Sequence, residues 1–389
     1  MKKFTLAILA LAVAAFVATS ASAEEKYVAG GFEAAGHVMV GAGWTHNTSK
    51  YPAAGAYFTN DGDYSYLVGV MGKYSNGTFS GKSDQFSFFV DEVELDLMKS
   101  FGENIRLRAD MDFGRAAFVN SSTGVLQPTF VLEQAYATAN IPVGNGIEFM
   151  LGRFNTPIGF EAVDVIDNDT ISKSAIGTGL RPTNTTGLKI YYSFSDLVDL
   201  HFYIVNSLTQ DSLVKINSVP SFGFRLGFNW GEEGTESTFG ISGLFGPETR
   251  LSNKHFTYAG DIDVNWWITE AFALGVEGIF RRDNAFGGSN TEYMGGLLNL
   301  HYAFSDVWDG TLKFCFAKQF DPSNLAAATA WTNLTGAEQA IYQASLAGGY
   351  EIADGAKLKM EGRFDIINPT GASNTYYNYG LALGFGYNF

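Results

Sequence analysis

The sequence predicts an all-β fold: a transmembrane, antiparallel, up-and-down β-barrel of about 16 strands with short turns on one rim and long loops on the other. The prediction rests on alternating segments, on connections of two lengths, and on the lack of a membrane helix, since no apolar run after residue 23 approaches roughly 18 residues. The alternation is clearest from Tyr379 to Phe389, where every second side chain is large and apolar. Period two gives a strand one apolar face, and aromatic rings at its ends match the two membrane interfaces.

Sixteen segments follow this pattern along the chain. They are expected near residues 30–45, 86–100, 104–116, 128–140, 146–154, 186–195, 198–206, 221–230, 235–246, 256–268, 271–282, 291–304, 310–319, 338–350, 356–367 and 374–389. An even number brings both ends of the barrel to the short-turn side. One alternative stays open: residues 64–74 could pair with 77–85 and give 18 strands, or belong to a long first loop within 46–85.

The second face of several strands is charged. The charged positions expected to line the lumen are Glu92, Glu94, Asp96, Arg106, Arg108, Asp110, Asp112, Arg225, Lys357, Lys359, Glu361 and Arg363. Such charges are costly against lipid, so they should face water, and a barrel of about 16 strands leaves an aqueous channel. A soluble sandwich shares the period of two, but the aromatic strand ends and the amino-terminal segment disfavour it.

The amino-terminal segment has the pattern of a secretory signal peptide. Lys2 and Lys3 precede an apolar run, and Ala21-Ser22-Ala23 forms a small-residue cleavage site. The expected division is therefore a signal peptide at 1–23 and one barrel domain at 24–389. The formal net charge of −15 argues against nucleic-acid binding, and a single cysteine, Cys315, excludes an internal disulfide.

The motif Leu151 to Glu161, LGRFNTPIGFE, and the strand Glu133 to Pro142, EQAYATANIP, together resemble Gram-negative outer-membrane porins. The likeness is strongest to the putative β-barrel porin-2 (OmpL-like) family. The resemblance implies a channel in the outer membrane, lipid and lipopolysaccharide around the barrel, and a terminal residue, Phe389, that signals to the barrel-assembly machinery. General porins also imply a possible homotrimer.

The long connection Asn155 to Thr185 is the third long loop. In general porins the loop at this place folds into the barrel and narrows it. The charged residues that could line such a constriction are Glu161, Asp164, Asp167, Asp169, Lys173 and Arg181. Loops of this length are often functional, but a surface loop packed on the rim or against a neighbouring subunit is the alternative.

The expected function is a water-filled channel for passive diffusion of small hydrophilic solutes and ions. A slight excess of acids on the inward faces predicts weak cation preference. Two alternatives stay open: a substrate-selective channel for phosphate, a sugar or a small organic acid, and a structural or adhesive barrel plugged by residues 46–85. The sequence shows no catalytic motif, no metal-ligand spacing and no sign of a cofactor, so an enzyme is not expected.

Overall fold

The computed structural model describes residues 31–47, 73–75, 78–80, 84–119, 126–208, 217–248, 253–284, 290–320, 339–369 and 375–389. The expected signal peptide at 1–23 lies outside the described residues, as does most of the segment 46–85. No helix within these described ranges is long and apolar enough to cross a membrane.

The described chain is almost entirely strand. The strands are β1 (Glu33–Asn47), β2 (Lys73–Ser75), β3 (Thr78–Ser80), β4 (Asp84–Phe101), β5 (Ile105–Val119), β6 (Leu126–Ile141), β7 (Ile147–Asn155), β8 (Asn184–Ser193), β9 (Val198–Val205), β10 (Ser221–Trp230), β11 (Ser237–Pro247), β12 (Phe256–Trp267), β13 (Phe272–Asn284), β14 (Asn290–Ala303), β15 (Trp308–Phe320), β16 (Gln339–Ala353), β17 (Ala356–Pro369) and β18 (Tyr376–Asn388). One short helix, α1 (Ala175–Gly179), lies between β7 and β8.

Sixteen of these strands form one closed antiparallel barrel, which confirms the predicted fold and strand number. Each barrel strand pairs with its neighbours in the chain, and β1 closes the ring by pairing with both β4 and β18. The strands β2 and β3 form a separate two-stranded sheet, so the alternative of 18 barrel strands is wrong.

The carboxyl-terminal strand completes the closure. The backbone N–H of Phe389 donates to the carbonyl of Gly36 at 2.9 Å, and the N–H of Gly36 donates to the carbonyl of Phe389 at 3.0 Å. The Phe389 ring is exposed on the outside of the barrel. The last residue of the chain therefore takes part in the seam between the first and last strands.

The two faces of the wall differ as the alternation predicts. On β17, Met360 points outward and is 50% exposed, whereas its neighbours Lys359 and Glu361 are buried on the inner face. Leu346 and Leu381 are likewise exposed on the outer face of β16 and β18. A wall with exposed apolar side chains outside and buried charges inside is suited to a barrel surrounded by lipid.

Candidate functional site

The connection between β7 and β8, residues 156–183, lies inside the barrel; we call it the inner loop. Its backbone meets inward-facing carboxylates from distant strands. The N–H of Val165 donates to Glu92 Oε2 on β4 at 2.9 Å, and the N–H of Ser172 donates to Glu361 Oε2 on β17 at 2.7 Å. The inner loop therefore spans the lumen and is bound to the wall far from its own strands.

Lysines of the wall satisfy carbonyl groups of the inner loop. Lys359 Nζ on β17 donates to the carbonyls of Ile166 at 2.6 Å and Asn168 at 2.5 Å. Lys313 Nζ on β15 donates to the carbonyl of Ser172 at 2.7 Å. Irregular backbone leaves buried carbonyls that need donors, and these two ammonium groups supply them.

A buried ion pair holds the segment before α1. Lys313 Nζ lies 2.6 Å from Glu161 Oε1, and both side chains are almost fully buried. The N–H of Ser174 also donates to Glu161, and Ser174 in turn caps α1 by accepting the N–H of Gly177 at 3.1 Å. Glu161 thus links the wall lysine to the start of the helix.

Three apolar clusters complete the attachment of the inner loop. Ile176 and Leu180 pack against Ile279, Leu297 and Cys315 on the inner face of β13–β15. The other two clusters bury further apolar residues of the inner loop against the wall. They bring Ile158 against Phe154, Tyr203 and Leu244, and Val165 and Ile171 against Met39, Phe89 and Ala382. The inner face therefore carries apolar patches beside the charged groups that bind the loop.

A polar cavity of about 190 Å³ lies between the inner loop and strands β12–β15. Asp169 is one of the loop residues that line it. Its carboxylate accepts a hydrogen bond from Asn299 Nδ2 at 2.7 Å and lies 3.2 Å from His301 Nδ1. The N–H of Phe160 donates to Glu277 Oε2 at 2.8 Å. These contacts join the inner loop to β13 and β14 as well.

The six charged residues considered for the constriction divide into two groups. Glu161, Lys173 and Arg181 are buried, and their hydrogen bonds hold the loop in shape; Arg181 donates to the carbonyl of Ile158 at 2.9 Å and to that of Glu161. Asp164, Asp167 and Asp169 retain exposure, Asp167 the most. The exposed charges of this set are all acidic.

The charged residues of β4 and β5 that are predicted to line the lumen form a connected network. Arg108 Nε lies 2.7 Å from Asp110 Oδ1, and its Nη2 lies 3.3 Å from Asp96 Oδ2. Arg106 is exposed near the short-turn rim. Glu92, Glu94 and Asp112 are buried beside this network, together with Glu133 of β6, which the alternation does not assign to the lumen.

Three further basic residues on the wall are also paired with carboxylates. Arg225 on β10 lies 2.6 Å from Asp263, Lys357 lies 2.6 Å from Asp309, and Arg363 Nε lies 2.8 Å from Asp365. A phosphate site would need a cluster of bases, for which the sequence offers Arg106, Arg108, Lys357, Lys359 and Arg363. Four of these five are engaged with a carboxylate or with the inner loop. Arg106 is exposed and contacts Met98 Sδ.

Sequence reasoning missed the apolar residues of the inner face, among them Met39, Phe89 and Tyr203. The adjacent pair Phe88-Phe89 carries a signal, because two neighbouring large aromatics on a strand must occupy opposite faces. Phe88 is exposed on the outside and Phe89 is buried inside. Because Phe89 is buried on the inner face, an apolar group must cover it there. In the structure that group is Val165 and Ile171 of the inner loop.

A closed barrel of 16 strands, with charged residues inside and a long loop folded into its lumen, defines the class of outer-membrane porins. The model of the family described as putative beta-barrel porin-2, OmpL-like, matches residues 31–389. The chain belongs to this family, which confirms the resemblance found in the sequence. No curated protein matches the chain.

Solved structures show the same fold at low sequence identity. The chain is similar to the outer-membrane channel DcaP of Acinetobacter baumannii, with a TM-score of 0.62, 14% identity, and coverage of 94% of this chain and 100% of that one. It is also similar to the trimer form of OmpT of Vibrio cholerae (TM-score 0.54, 10% identity, 92% and 99% covered). A third similar structure is the anion-selective porin of Comamonas acidovorans (TM-score 0.52, 12% identity, 92% and 100% covered). These structures show the fold, and the family identifies the protein as a porin of the Gram-negative outer membrane.

Proposed function

We propose that the protein passes small hydrophilic solutes and ions by passive diffusion through its lumen, and that the inner loop sets the size limit. The observation that carries the proposal is the position of residues 156–183, which are bound across the lumen to β4 and to β13–β17. A loop attached mainly to one side narrows a channel without filling all of it.

The proposed passage runs between the inner loop and the wall of β5–β10. Some inward side chains of these strands keep partial exposure, as Arg108, Lys189 and Tyr191 do, although others are buried. Under the loop, Lys313, Lys359 and Arg363 are all buried. Solutes would therefore meet Asp164 and Asp167 of the inner loop on one side and the charged wall on the other.

A weak preference for cations is part of the proposal. The buried charged side chains of the described residues comprise 14 carboxylates and seven Lys or Arg. The exposed charges of the constriction set are also acidic. Acids that face the passage raise the local cation concentration, but the ion pairs of the wall cancel much of the field, so the preference should be small.

Swelling of liposomes that contain the refolded protein, in sugars of increasing size, tests the proposal. An open channel gives swelling rates that fall steadily with solute size. A barrel plugged by residues 46–85 gives no swelling above protein-free liposomes. A substrate-selective channel admits one solute class faster than its size allows.

The remaining parts of the proposal concern partners and chemistry. The exposed apolar band would contact outer-membrane lipid and lipopolysaccharide, and the strand ending in Phe389 would be read by the barrel-assembly machinery. A homotrimer is supported by the trimer form of OmpT and is tested by chemical cross-linking of outer membranes. We assign no catalytic role, because the family and fold are those of a channel.

A further inference from the structure

Four carboxylates converge on the inner face of the wall beside the inner loop. They belong to Glu92 and Glu94 of β4, Asp112 of β5 and Glu133 of β6, and we call them the carboxylate cluster. One ligand oxygen from each lies within 4.8 Å of the corresponding oxygen of every other member. The four residues are between 0% and 2% exposed. The cluster is therefore a compact set of oxygen ligands withdrawn from bulk water.

Glu94 provides a second and independent observation. Its side chain is buried, yet its Oε2 accepts no hydrogen bond within the described structure. Glu94 also belongs to two neighbouring groups of the same kind, one with His37 and Glu92 and one with Asp96 and Asp110. A buried carboxylate oxygen that lacks a donor, on a residue shared by three such groups, is an acceptor that a bound cation would satisfy.

The chemistry of these ligands indicates which ion would fit. Hard divalent cations prefer oxygen ligands, and carboxylates bind Ca²⁺ in variable geometry with six to eight oxygens at about 2.3–2.6 Å. Mg²⁺ demands a nearly ideal octahedron and is reluctant to lose its water. Carboxylates fixed on three adjoining strands favour the more tolerant ion.

We propose that the carboxylate cluster binds one divalent cation, preferably Ca²⁺, inside the barrel wall. Bound there, the ion would offset the repulsion among the four acids in a medium of low dielectric constant. It would also stabilise the attachment of the inner loop, because Glu92 Oε2 accepts the N–H of Val165 at 2.9 Å. The inference concerns binding and does not depend on the proposed conduction.

Isothermal titration calorimetry with CaCl₂ tests the site directly. The protein is refolded in detergent without lipopolysaccharide and freed of metal with a chelator. We expect one Ca²⁺ per chain with a dissociation constant below about 1 mM, the weak end of the range for extracellular sites, and weaker binding of Mg²⁺. Added Ca²⁺ should also raise the temperature at which the barrel unfolds, and a chelator should reverse that rise.

The variant Glu94→Gln removes the central oxygen charge with little change of shape. It should weaken Ca²⁺ binding at least tenfold, which corresponds to about 1.4 kcal/mol. The matched control is Asp261→Asn, another buried carboxylate of the inner face, on β12, whose oxygens accept no hydrogen bond within the described structure. It should bind Ca²⁺ as the wild type does.

Three results would overturn the proposal. The first is wild-type protein that gives no calorimetric signal and no thermal shift with Ca²⁺. The second is equal loss of binding in both variants, which would indicate diffuse attraction by the acidic lumen. The third is folded Glu94→Gln protein that binds Ca²⁺ with unchanged affinity. If Glu94→Gln fails to refold, the comparison of wild type with Asp261→Asn still decides: one Ca²⁺ per chain with equal affinity supports the site, and weaker or fewer binding events in Asp261→Asn overturn it.

Discussion

Lys313 on β15 and Glu161 of the inner loop form an ion pair across the lumen, with Nζ 2.6 Å from Oε1 and side chains only 5% and 2% exposed. The same ammonium donates to Thr170 Oγ1 at 2.5 Å and to the carbonyl of Ser172. One wall lysine therefore fixes three points of the inner loop. The position of the loop depends on this pair more than on any exposed charge.

Replacing Lys313 by Met should release the inner loop. The substitution leaves the Glu161 carboxylate buried without its ammonium partner, and breaking one side of a buried pair is unfavourable by about 3–5 kcal/mol. Lys173 is buried in the wild type, so trypsin should cut after it only in Lys313→Met. Gel analysis of protein digested in the folded state measures this cleavage.

The double variant Lys313→Met with Glu161→Gln is the control for that experiment. It removes the unpaired charge, so it should resist trypsin better than Lys313→Met alone. Equal resistance of the wild type and Lys313→Met would mean that the pair does not hold the loop.

Chemical labelling of the Cys315 thiol should detect the same release of the inner loop from the wall, and it needs no introduced cysteine. Cys315 is the single cysteine of the chain and is buried against Ile176 and Leu180. A water-soluble maleimide should leave it unmodified in the folded wild type and modify it in Lys313→Met. Mass spectrometry counts the label, and rapid labelling of the wild type would contradict the observed packing of α1.

Gly295 on β14 should be sensitive to substitution because α1 approaches it closely. A Cβ at Gly295 would lie 2.7 Å from Ile176 Cγ1 and 3.0 Å from Leu180 Cδ1. Gly295→Val should therefore displace α1 and disfavour its packing by about 1–3 kcal/mol, the usual penalty for overpacking. Trypsin cleavage after Lys173 measures the displacement.

The neighbouring Gly296 provides the matched control on the opposite face of the same strand. A Cβ there would meet a single atom within 4 Å, the carbonyl oxygen of Glu277 at 3.9 Å. Gly296→Val should leave the inner loop protected. If trypsin cleaves the two valine variants equally after Lys173, the substitutions disturb the strand itself and not the packing of α1 against it.

Asp167→Asn should reduce the preference for cations without loss of stability, since this side chain is the exposed charge of the inner loop. One charge acting through water contributes less than about 1 kcal/mol, so the permeability ratio of K⁺ to Cl⁻ should fall by no more than about fivefold. Reversal potentials in a KCl gradient give the ratio. Glu233→Gln, in the exposed turn between β10 and β11, is the matched control, and an equal fall there would assign the effect to net charge alone.

The wall could be predicted from the sequence because alternation is a local property. On β17, side chains from Leu358 to Ile366 divide between lipid and lumen by their period alone, and the structure places Met360 outside and Glu361 inside as expected. The strand number followed from the short turns. The small strands β2 and β3 left that number open, because three-residue strands give too short a pattern to assign.

The position at which the inner loop packs against the wall could not be predicted in the same way. Lys313 and Glu161 are separated by 152 positions, and neither their spacing nor their charge indicates that they meet. The small residues on the inner face of β18 give no sign in the sequence that a loop packs against them. Gly384 and Gly386 nevertheless lie against Ile171 and Ile166 of the loop, so small residues there allow close packing.

The central claim is that a water-filled channel remains beside the inner loop. Single-channel conductance of the refolded protein in planar bilayers tests it most directly. The account predicts steady conductance steps of nanosiemens size in the wild type and larger or noisier steps in Lys313→Met. In a KCl gradient, the reversal potential should indicate a slight preference for K⁺ over Cl⁻. A wild type that gives no steps, while Lys313→Met conducts, would show that the seated loop closes the barrel and would contradict the claim.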